Sequence, residues 1–294
     1  MKKFIVLGTK GFLGSHMSRF LKKRGHKVRS ISDVDLRDYK NVLNSIEKDS
    51  LVFHFAADMG GVGYFSSENY YPFITNILID INVLRACEAK NVKRLFYPAS
   101  ACIYPPSNQP LSEDMVNLPA KPDQMYGWEK LTLTKLLRNA PFDVRVGILH
   151  TIFGEGQTWE GKKAKFPPAI VYKSLKARKT GFIEIWGNGK QRRTFLYIED
   201  ALEKIYEVAL SNHYHGEVNI SSDEVVTIRQ CVDWICEYLK IKPKYIYDEN
   251  RPSGFLYRGV DNSKYNTHYT YRCKYSTKQG FQRLTDWMKN LIYR

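Results

Sequence analysis

The chain has 294 residues, 43% of them hydrophobic, and a formal net charge of +15. This length suits two domains or one domain carrying a lobe, and no apolar run approaches the roughly 20 residues that span a bilayer. Its five cysteines (Cys87, Cys102, Cys231, Cys236 and Cys273) form no Cys-x-x-Cys pair, which argues against a disulfide framework or a zinc site and suits a reduced, cytoplasmic chain.

Lys3 to Leu7 is a short apolar run of buried-strand type, too short for the core of a signal peptide despite the lysines before it. Gly8-Thr9-Lys10-Gly11-Phe12-Leu13-Gly14 follows. Phe12, Leu13, Met17, Phe20 and Leu21 then recur at helical spacing, and Gly25 fits a helix stop. Strand, glycine-rich turn and helix in this order let the backbone approach a pyrophosphate, whose charge the helix amino terminus stabilises. The spacing G-x-x-G-x-x-G matches the generic fingerprint only in part. A tight turn without a ligand is the bland alternative, and the flanking strand and helix make dinucleotide binding the stronger reading.

Further along, Lys27 to Ser32 reads as a second strand, and Asp33 to Asp38 either ends it or begins a short third one. Leu51 to Phe55 is a buried strand, followed by Ala56-Ala57-Asp58-Met59-Gly60-Gly61. A long helix is expected over about 67–90, a strand over Val92 to Tyr97, a helix carrying Tyr126, and a strand over Asp143 to Leu149. This alternation predicts an α/β fold, a doubly wound parallel sheet with ligands at the carboxyl ends of its strands. Gly8, Asp58, Ser100 and His150 all follow strands and are expected to converge there.

Tyr126 and Lys130 lie one turn apart on one helix face. An ammonium beside a phenol favours phenolate and is expected to draw the Tyr126 pKa toward neutrality. Such a phenol can take a proton from a sugar hydroxyl while hydride leaves the carbon beneath it. Ser100 and Cys102 offer a hydroxyl and a thiol to the same substrate. Alone, Tyr-x-x-x-Lys is weak, since any solvated helix face can carry it.

Past residue 150 the pattern loosens. Glycine, proline and lysine crowd Gly154 to Pro168, and Pro167-Pro168 suits a helix start. Strands are expected over Phe182 to Trp186 and Thr194 to Ile198, and helices from Glu199, over Thr227 to Leu239, and over Phe281 to Ile292. The division expected is a dinucleotide-binding Rossmann domain over 1–150 and a smaller α/β nucleotide-sugar lobe over 151–294, with some segments returning to the first domain. The positive charge is compatible with nucleic acid, an acidic membrane surface, a small polyanion such as a sugar nucleotide, or simple solubility. Its clusters at 22–24, 162–165 and 190–193 are short, and no arginine-rich tail or RNA-binding aromatic motif is present, so nucleic acid is not the expected partner.

Together, Gly8-x-x-Gly11-x-x-Gly14, Ala56-Ala57, Asn76, Ser100, and Tyr126 with Lys130 resemble the extended short-chain dehydrogenase/reductases, the NAD-dependent epimerase/dehydratase family acting on nucleotide sugars. Within it the likeness is greatest to the GDP-mannose 3,5-epimerase branch and next to the GDP-L-fucose synthase branch. The specific stretches are Ala56 to Gly61, Ser100-Ala101-Cys102-Ile103-Tyr104-Pro105, and Tyr126-Gly127-x-Glu129-Lys130. Thr158-Trp159-x-Gly161, Trp186-Gly187-x-Gly189-x-Gln191-x-Arg193 and Val218-Asn219-Ile220 add to it, so the resemblance covers essentially the whole chain.

The resemblance implies that Tyr126 oxidises the sugar at C4 with a bound dinucleotide, that Ser100 hydrogen-bonds the same oxygen, and that Lys130 supports both. It implies that Cys102 and Lys165 are the acid and base of epimerisation. Read on their own, Cys102 is a small buried residue and Lys165 a solvated loop charge. The dinucleotide, NAD or NADP, is expected at Gly8, Lys10, Gly11, Phe12, Leu13, Gly14, Asp33, Asp35, Leu36, Ala56, Ala57, Asn76, Tyr126 and Lys130. The substrate, expected to be GDP-linked, falls to Met59, Gly60, Gly61, Cys102, Thr151, Lys165, Trp186, Arg193 and Arg258. The two arginines match family positions near the diphosphate. No metal and no membrane contact are expected. A homodimer is expected by analogy, through the helix near 67–90 and the Tyr126 helix, with Ile74, Ile77, Leu78 and Ile81 on one and Leu131, Lys135 and Arg138 on the other.

The sequence departs from the family pattern at Thr151 and Phe153, where an asparagine and a tyrosine are usual, so one substrate contact is altered. Strand two ends in Ser30-Ile31-Ser32 rather than an acid. Asp33 is then the candidate for the ribose 2′-hydroxyl, while Lys10 and Arg29 would suit a 2′-phosphate. The alternatives to an epimerase are an NADPH-dependent 4-keto nucleotide-sugar reductase or epimerase/reductase, and a non-enzymatic RNA- or protein-binding member of the fold.

Overall fold

Short strands alternating with helices set out the first half, most of the strands buried and apolar. The structure, a computed structural model, describes residues 3–67, 70–119 and 121–293. In chain order it runs β1 (Lys3–Leu7), α1 (Phe12–Lys23), β2 (Lys27–Ile31), α2 (Tyr39–Ser45), β3 (Leu51–His54), α3 (Val62–Ser67), α4 (Tyr70–Ala89), β4 (Arg94–Ser100), α5 (Gln124–Leu137) and β5 (Val144–Leu149). The second half continues with β6 (Thr151–Phe153), α6 (Phe166–Thr180), β7 (Phe182–Trp186), β8 (Arg192–Tyr197), α7 (Ile198–Leu210), β9 (Val218–Ile220), β10 (Val225–Thr227), α8 (Ile228–Leu239), β11 (Lys244–Asp248), β12 (Tyr257–Arg258), α9 (Ser263–His268) and α10 (Thr277–Ile292).

Six strands form one parallel sheet in the order β2-β1-β3-β4-β5-β9. Successive residues of β1 point to opposite layers: Phe4 and Val6 join one core, Ile5 and Leu7 the other. That alternation is what helices on both faces of a sheet require. The chain steps from β1 outward to β2 and returns past it to β3, so the switch point lies between β1 and β3, with the glycine turn and Ala56 at its mouth. Around β8 a second sheet assembles from β6, β10 and β12, while β7 and β11 pair on their own.

Several expected boundaries move. Asp33 to Asp38 forms no strand; the Asp38 carboxylate accepts from the backbone N–H groups of Lys40 and Asn41 and starts helix α2, which the sequence reading lacked. The long helix expected over about 67–90 is α4, and a short helix α3 stands before it; residues 68 and 69 lie outside the described ones. The strand expected to end at Tyr97 runs on to Ser100, paired with Leu149. The strand near 194–198 begins two residues earlier, at Arg192. The closing helix starts at Thr277, where Ser276 and Gln279 form a capping box. Strands of two or three residues such as β6, β9 and β12 give no periodicity to read. Among the described residues no helix is long and apolar enough to cross a membrane.

Candidate active site

The glycine turn is shaped by what it must let close. Gly8 has φ +80°, and a Cβ there would come within 2.6 Å of the Ala56 nitrogen at the end of β3. Gly14 packs its Cα against the Gly8 carbonyl, leaving no room for a side chain. Gly11 N donates to Gly8 O at 3.0 Å, and Gly8 N and Thr9 N donate to Ile31 O at 3.2 and 3.1 Å, fixing the turn against β2. The result is a side-chain-free cradle at the amino terminus of α1, opening onto a cleft of about 560 Å³. Gly8, Lys10, Gly11, Phe12, Asp35, Leu36, Ala56 and Ala57 border that cleft, as does Lys165. A dinucleotide diphosphate fits this cradle in charge and shape.

Other expected cofactor residues stand behind or beside the cleft. Leu13 packs against the core. Asn76 is fully buried; its Oδ1 accepts from Asp58 N at 2.6 Å and its Nδ2 donates to Asp58 O and to Glu129, so it shapes the Ala56 to Asp58 segment from beneath. Asp33 adopts a left-handed backbone and pairs with Lys10 on the exposed rim, and that ammonium lowers its carboxyl pKa. Asp35 accepts from the Arg37 side chain at 2.8 Å and from its backbone N–H, which draws its pKa to about 2. Val34, Arg37, Thr75, Ile79, Gln157 and Lys163 also border the cleft and were missed. Of these only Arg37 carries a legible signal, in the Asp35-Leu36-Arg37 run.

The residues expected to react meet at the ends of β4 and α5. Ser100 closes β4, and its hydroxyl accepts from Cys102 N at 3.2 Å. Gly127 lets α5 settle onto the Cys102 carbonyl, which also accepts from Asp123 N at 2.9 Å. Tyr126 is therefore brought beside Ser100 and Cys102, its ring stacked on Phe65 at 4.6 Å and 12°. Met59 packs against the same aromatic cluster. Burial pushes the Tyr126 phenol well above its ordinary pKa; Lys130 opposes this, Glu129 and Cys102 add to it, and the Ser100 hydroxyl opposes it by hydrogen bonding. The expected fall toward neutrality is thus corrected. Desolvation outweighs the ammonium, and that ammonium is shared: Lys130 donates to Asp80 at 3.3 Å and to the Tyr97 hydroxyl at 3.1 Å.

Lys165 sits at the amino terminus of α6, half-buried, on the far side of the cleft mouth. Burial lowers its pKa, and the neighbouring Cys102 acts in the opposite direction, so the two side chains are electrostatic neighbours. Gly61 allows this approach: its Cα lies against the Ala164 carbonyl, and a Cβ there would be 3.5 Å from Lys165 Cα. Gly60 is similarly pressed to the Tyr64 ring, 2.5 Å from where its Cβ would stand. Asp58 ties the two sides together, accepting from the Tyr64 hydroxyl at 2.9 Å and from Lys163 at 2.5 Å.

Beyond this point lie the expected substrate residues. The Trp186 ring packs against Gly63, with the cations of Lys173 and Arg251 5.6 and 5.5 Å from its centroid. Arg193 and Arg258 are register partners on β8 and β12. Arg258 is buried and donates to Ala101 O and to Asp123, so it also holds the segment bearing Cys102. Thr151 begins β6 opposite Phe195, and Phe153 is buried among Phe195, Tyr197 and Phe281, where a phenol hydroxyl is not called for. The substitution at Phe153 is therefore absorbed by the core.

Comparison with known proteins agrees with this geometry. Residues 4–221 match the model of the NAD dependent epimerase/dehydratase family. The chain is 32% identical to the GDP-mannose 3,5-epimerase of Arabidopsis thaliana, over 99% of its own length and 83% of the relative. It is 26% identical to the GDP-L-fucose synthase of Escherichia coli strain K12, covering 86% of each. In fold it is similar to a UDP-glucose 4-epimerase of Thermotoga maritima, with a TM-score of 0.87 at 19% identity and 99% of both chains covered. With a glycine cradle, a Tyr126 and Lys130 pair and a family match over most of its length, the chain belongs to the NAD-dependent epimerase/dehydratase family.

Proposed function

We propose that the chain is a nucleotide-sugar epimerase acting on a GDP-linked, mannose-like sugar, through transient oxidation at C4 and inversion at C3 or C5. The observation that carries this reading is that Cys102 packs with Tyr126 and Met59, while Lys165 borders the dinucleotide cleft where Gly61 admits its segment. A bound nicotinamide dinucleotide, NAD or NADP, supplies the acceptance and return of hydride at C4. Tyr126 takes the proton of the C4 hydroxyl, and Ser100 holds the same oxygen by a hydrogen bond. The resulting ketone acidifies the hydrogens on both adjacent carbons. Cys102 and Lys165 then remove a proton from one face and return one from the other. A lowered lysine pKa suits this exchange, because the neutral amine is within reach nearer neutral pH.

In this reading residues 1–150 bind the dinucleotide and residues 151–294 mainly hold the nucleotide sugar, with Val218–Ile220 returning to the first sheet. Arg193 and Arg258 hold the diphosphate, and Trp186 borders the sugar-nucleotide. The chain works as a homodimer through α4 and α5, whose exposed apolar side chains Tyr71, Ile74, Leu78, Met125, Trp128 and Leu136 support a shared helical face. Leu131, expected on that face, is buried and turns inward. A reduced cytoplasmic setting suits the free thiols.

The test is a panel of nucleotide sugars with product NMR and a record of the cofactor. Inverted GDP-sugar with no net change in cofactor is expected. Net oxidation of NADPH with a 4-keto sugar, and no inversion of GDP-mannose, would replace this reading by the reductase.

A further inference from the structure

Asp58 stands at the rim of the dinucleotide cleft and takes no part in the proposed proton transfers. One buried amide clamps its backbone from both sides: Asn76 Oδ1 accepts from Asp58 N at 2.6 Å, and Asn76 Nδ2 donates to Asp58 O at 3.1 Å. The Tyr64 hydroxyl fixes its side chain, donating to Oδ2 at 2.9 Å. The other carboxylate oxygen accepts from Lys163 Nζ at 2.5 Å, across 105 positions of chain, and that ammonium lies 5.0 Å from the centroid of the Tyr64 ring. An exposed ion pair is worth little when two free side chains must be ordered. Here the acid is already placed by Asn76 and Tyr64, so only the lysine gives up freedom. Lys163 belongs to a loop closed on itself by Ala164 N donating to Gly161 O at 3.2 Å and Lys165 N to Thr158 O at 3.3 Å. The Ala164 carbonyl rests on Gly61, where no Cβ would fit. Lys165 comes next, and its side chain makes no capping hydrogen bond to α6, so the loop's backbone sets its place in the cleft.

We infer that Asp58 is a positioning residue for the proposed reaction: by gripping Lys163 it holds the loop over 158–165 on the Gly60-Gly61 turn, and so keeps Lys165 at the cleft mouth. The inference rests on the reading above, in which Lys165 exchanges protons with the sugar. A proton passes only over hydrogen-bond distance, and a drift of about 1 Å in the loop can cost up to about 100-fold in rate. Oxidation at C4 falls instead to Tyr126 and Ser100, carried by α5 and β4. Loosening the loop therefore separates the two halves of the cycle: oxidation persists while inversion slows.

The experiment compares Asp58→Asn, Lys163→Met and the double variant with the parent, by hydrogen exchange over 158–165 and by kinetics on GDP-mannose with saturating dinucleotide. Each single variant should exchange the Ala164 and Lys165 amides about 3- to 10-fold faster. Each should slow inversion about 10-fold and leave single-turnover oxidation at C4 within about 2-fold of the parent. The double variant should be no worse than either single one, because both remove the same contact. Lys163→Arg keeps the ion pair and should restore both readouts. If Asp58→Asn does not fold, Lys163→Met against Lys163→Arg decides the same question on a half-exposed side chain. Parent-like exchange in the single variants, effects that multiply in the double one, or a loosened loop that still inverts at the parent rate overturns the inference. A parent that inverts no sugar sinks the epimerase reading and takes this role with it, whereas a parent that inverts beside unaffected variants sinks this role alone.

Discussion

Arg193 and Arg258 stand opposite each other on the parallel strands β8 and β12. Burial and the second guanidinium draw the Arg193 pKa down to about 10, so two like charges are held together with Asp123 as the nearby acid. Such a pair is relieved by an anion. Arg258 has a structural duty toward Ala101 and Asp123, whereas Arg193, among the described residues, donates to the backbone carbonyls of Arg192 and Ser253. Arg193→Met should therefore raise KM for the nucleotide sugar by about 10- to 100-fold, the range of one or two lost charged hydrogen bonds. Its melting temperature should be unchanged or higher. Arg258→Met should lose both affinity and stability, which thermal melts alongside steady-state kinetics will separate.

Tyr126→Phe keeps the ring on Phe65 and removes only the hydroxyl. Folding should survive, and turnover should fall by about two orders of magnitude or more. Near-normal turnover in this variant contradicts the assignment of Tyr126.

Cys102→Ser and Lys165→Met should leave oxidation at C4 largely intact in single turnover while inversion at C3 or C5 stops. One partner alone can still exchange a proton on its own face without inverting the carbon. Mass spectrometry and NMR of the sugar read both outcomes; inversion at the parent rate in both variants removes the two residues from the mechanism. Lys165 also makes a stability forecast. Its folded pKa is below its unfolded value, so the unfolded chain binds the proton more tightly. Stability due to this group therefore rises with pH between the lowered folded pKa and the ordinary lysine value, and is reduced at neutral pH. Lys165→Met should melt no lower than the parent at pH 7.

His150 should govern part of the acid response. Burial lowers its pKa to about 4, the Asn219 side chain opposes that, and Arg258 adds to it. The folded state thus resists protonation that the unfolded state accepts. Stability should fall as pH drops from the ordinary histidine value of 6.5 to about 4, and level off below. His150→Gln, read by melts across that window, should show a flatter fall.

The exposed face of α4 and α5 gives a last expectation. Trp128 is 42% exposed and Leu78 46%. Light scattering should return a dimer at micromolar concentration, and Trp128→Lys with Leu78→Lys should return a monomer. A monomeric parent would contradict the homodimer.

The sequence by itself determined the sheet and the cofactor cradle, because both depend on short-range features. Buried strands announce themselves as apolar runs, and the glycines at 8, 11 and 14 state where backbone must approach backbone. The roles proposed for Cys102 and Lys165 came from the family resemblance, because Cys102 read alone is a small packing residue and Lys165 a loop charge. Asp80 lies one helical turn beyond Asn76 and went unread in the sequence; its burial appears only when His54 of β3, Tyr97 of β4 and Lys130 of α5 close around it. The direction of the Tyr126 shift was missed for the same reason: a lysine at helical spacing is visible in one dimension, whereas desolvation and the competing Asp80 and Glu129 carboxylates are not. The pairing of Arg193 with Arg258 and the approach of Lys165 to Cys102 join residues more than sixty positions apart. Charge environment and burial are properties of the folded volume, so only the tertiary structure decided them.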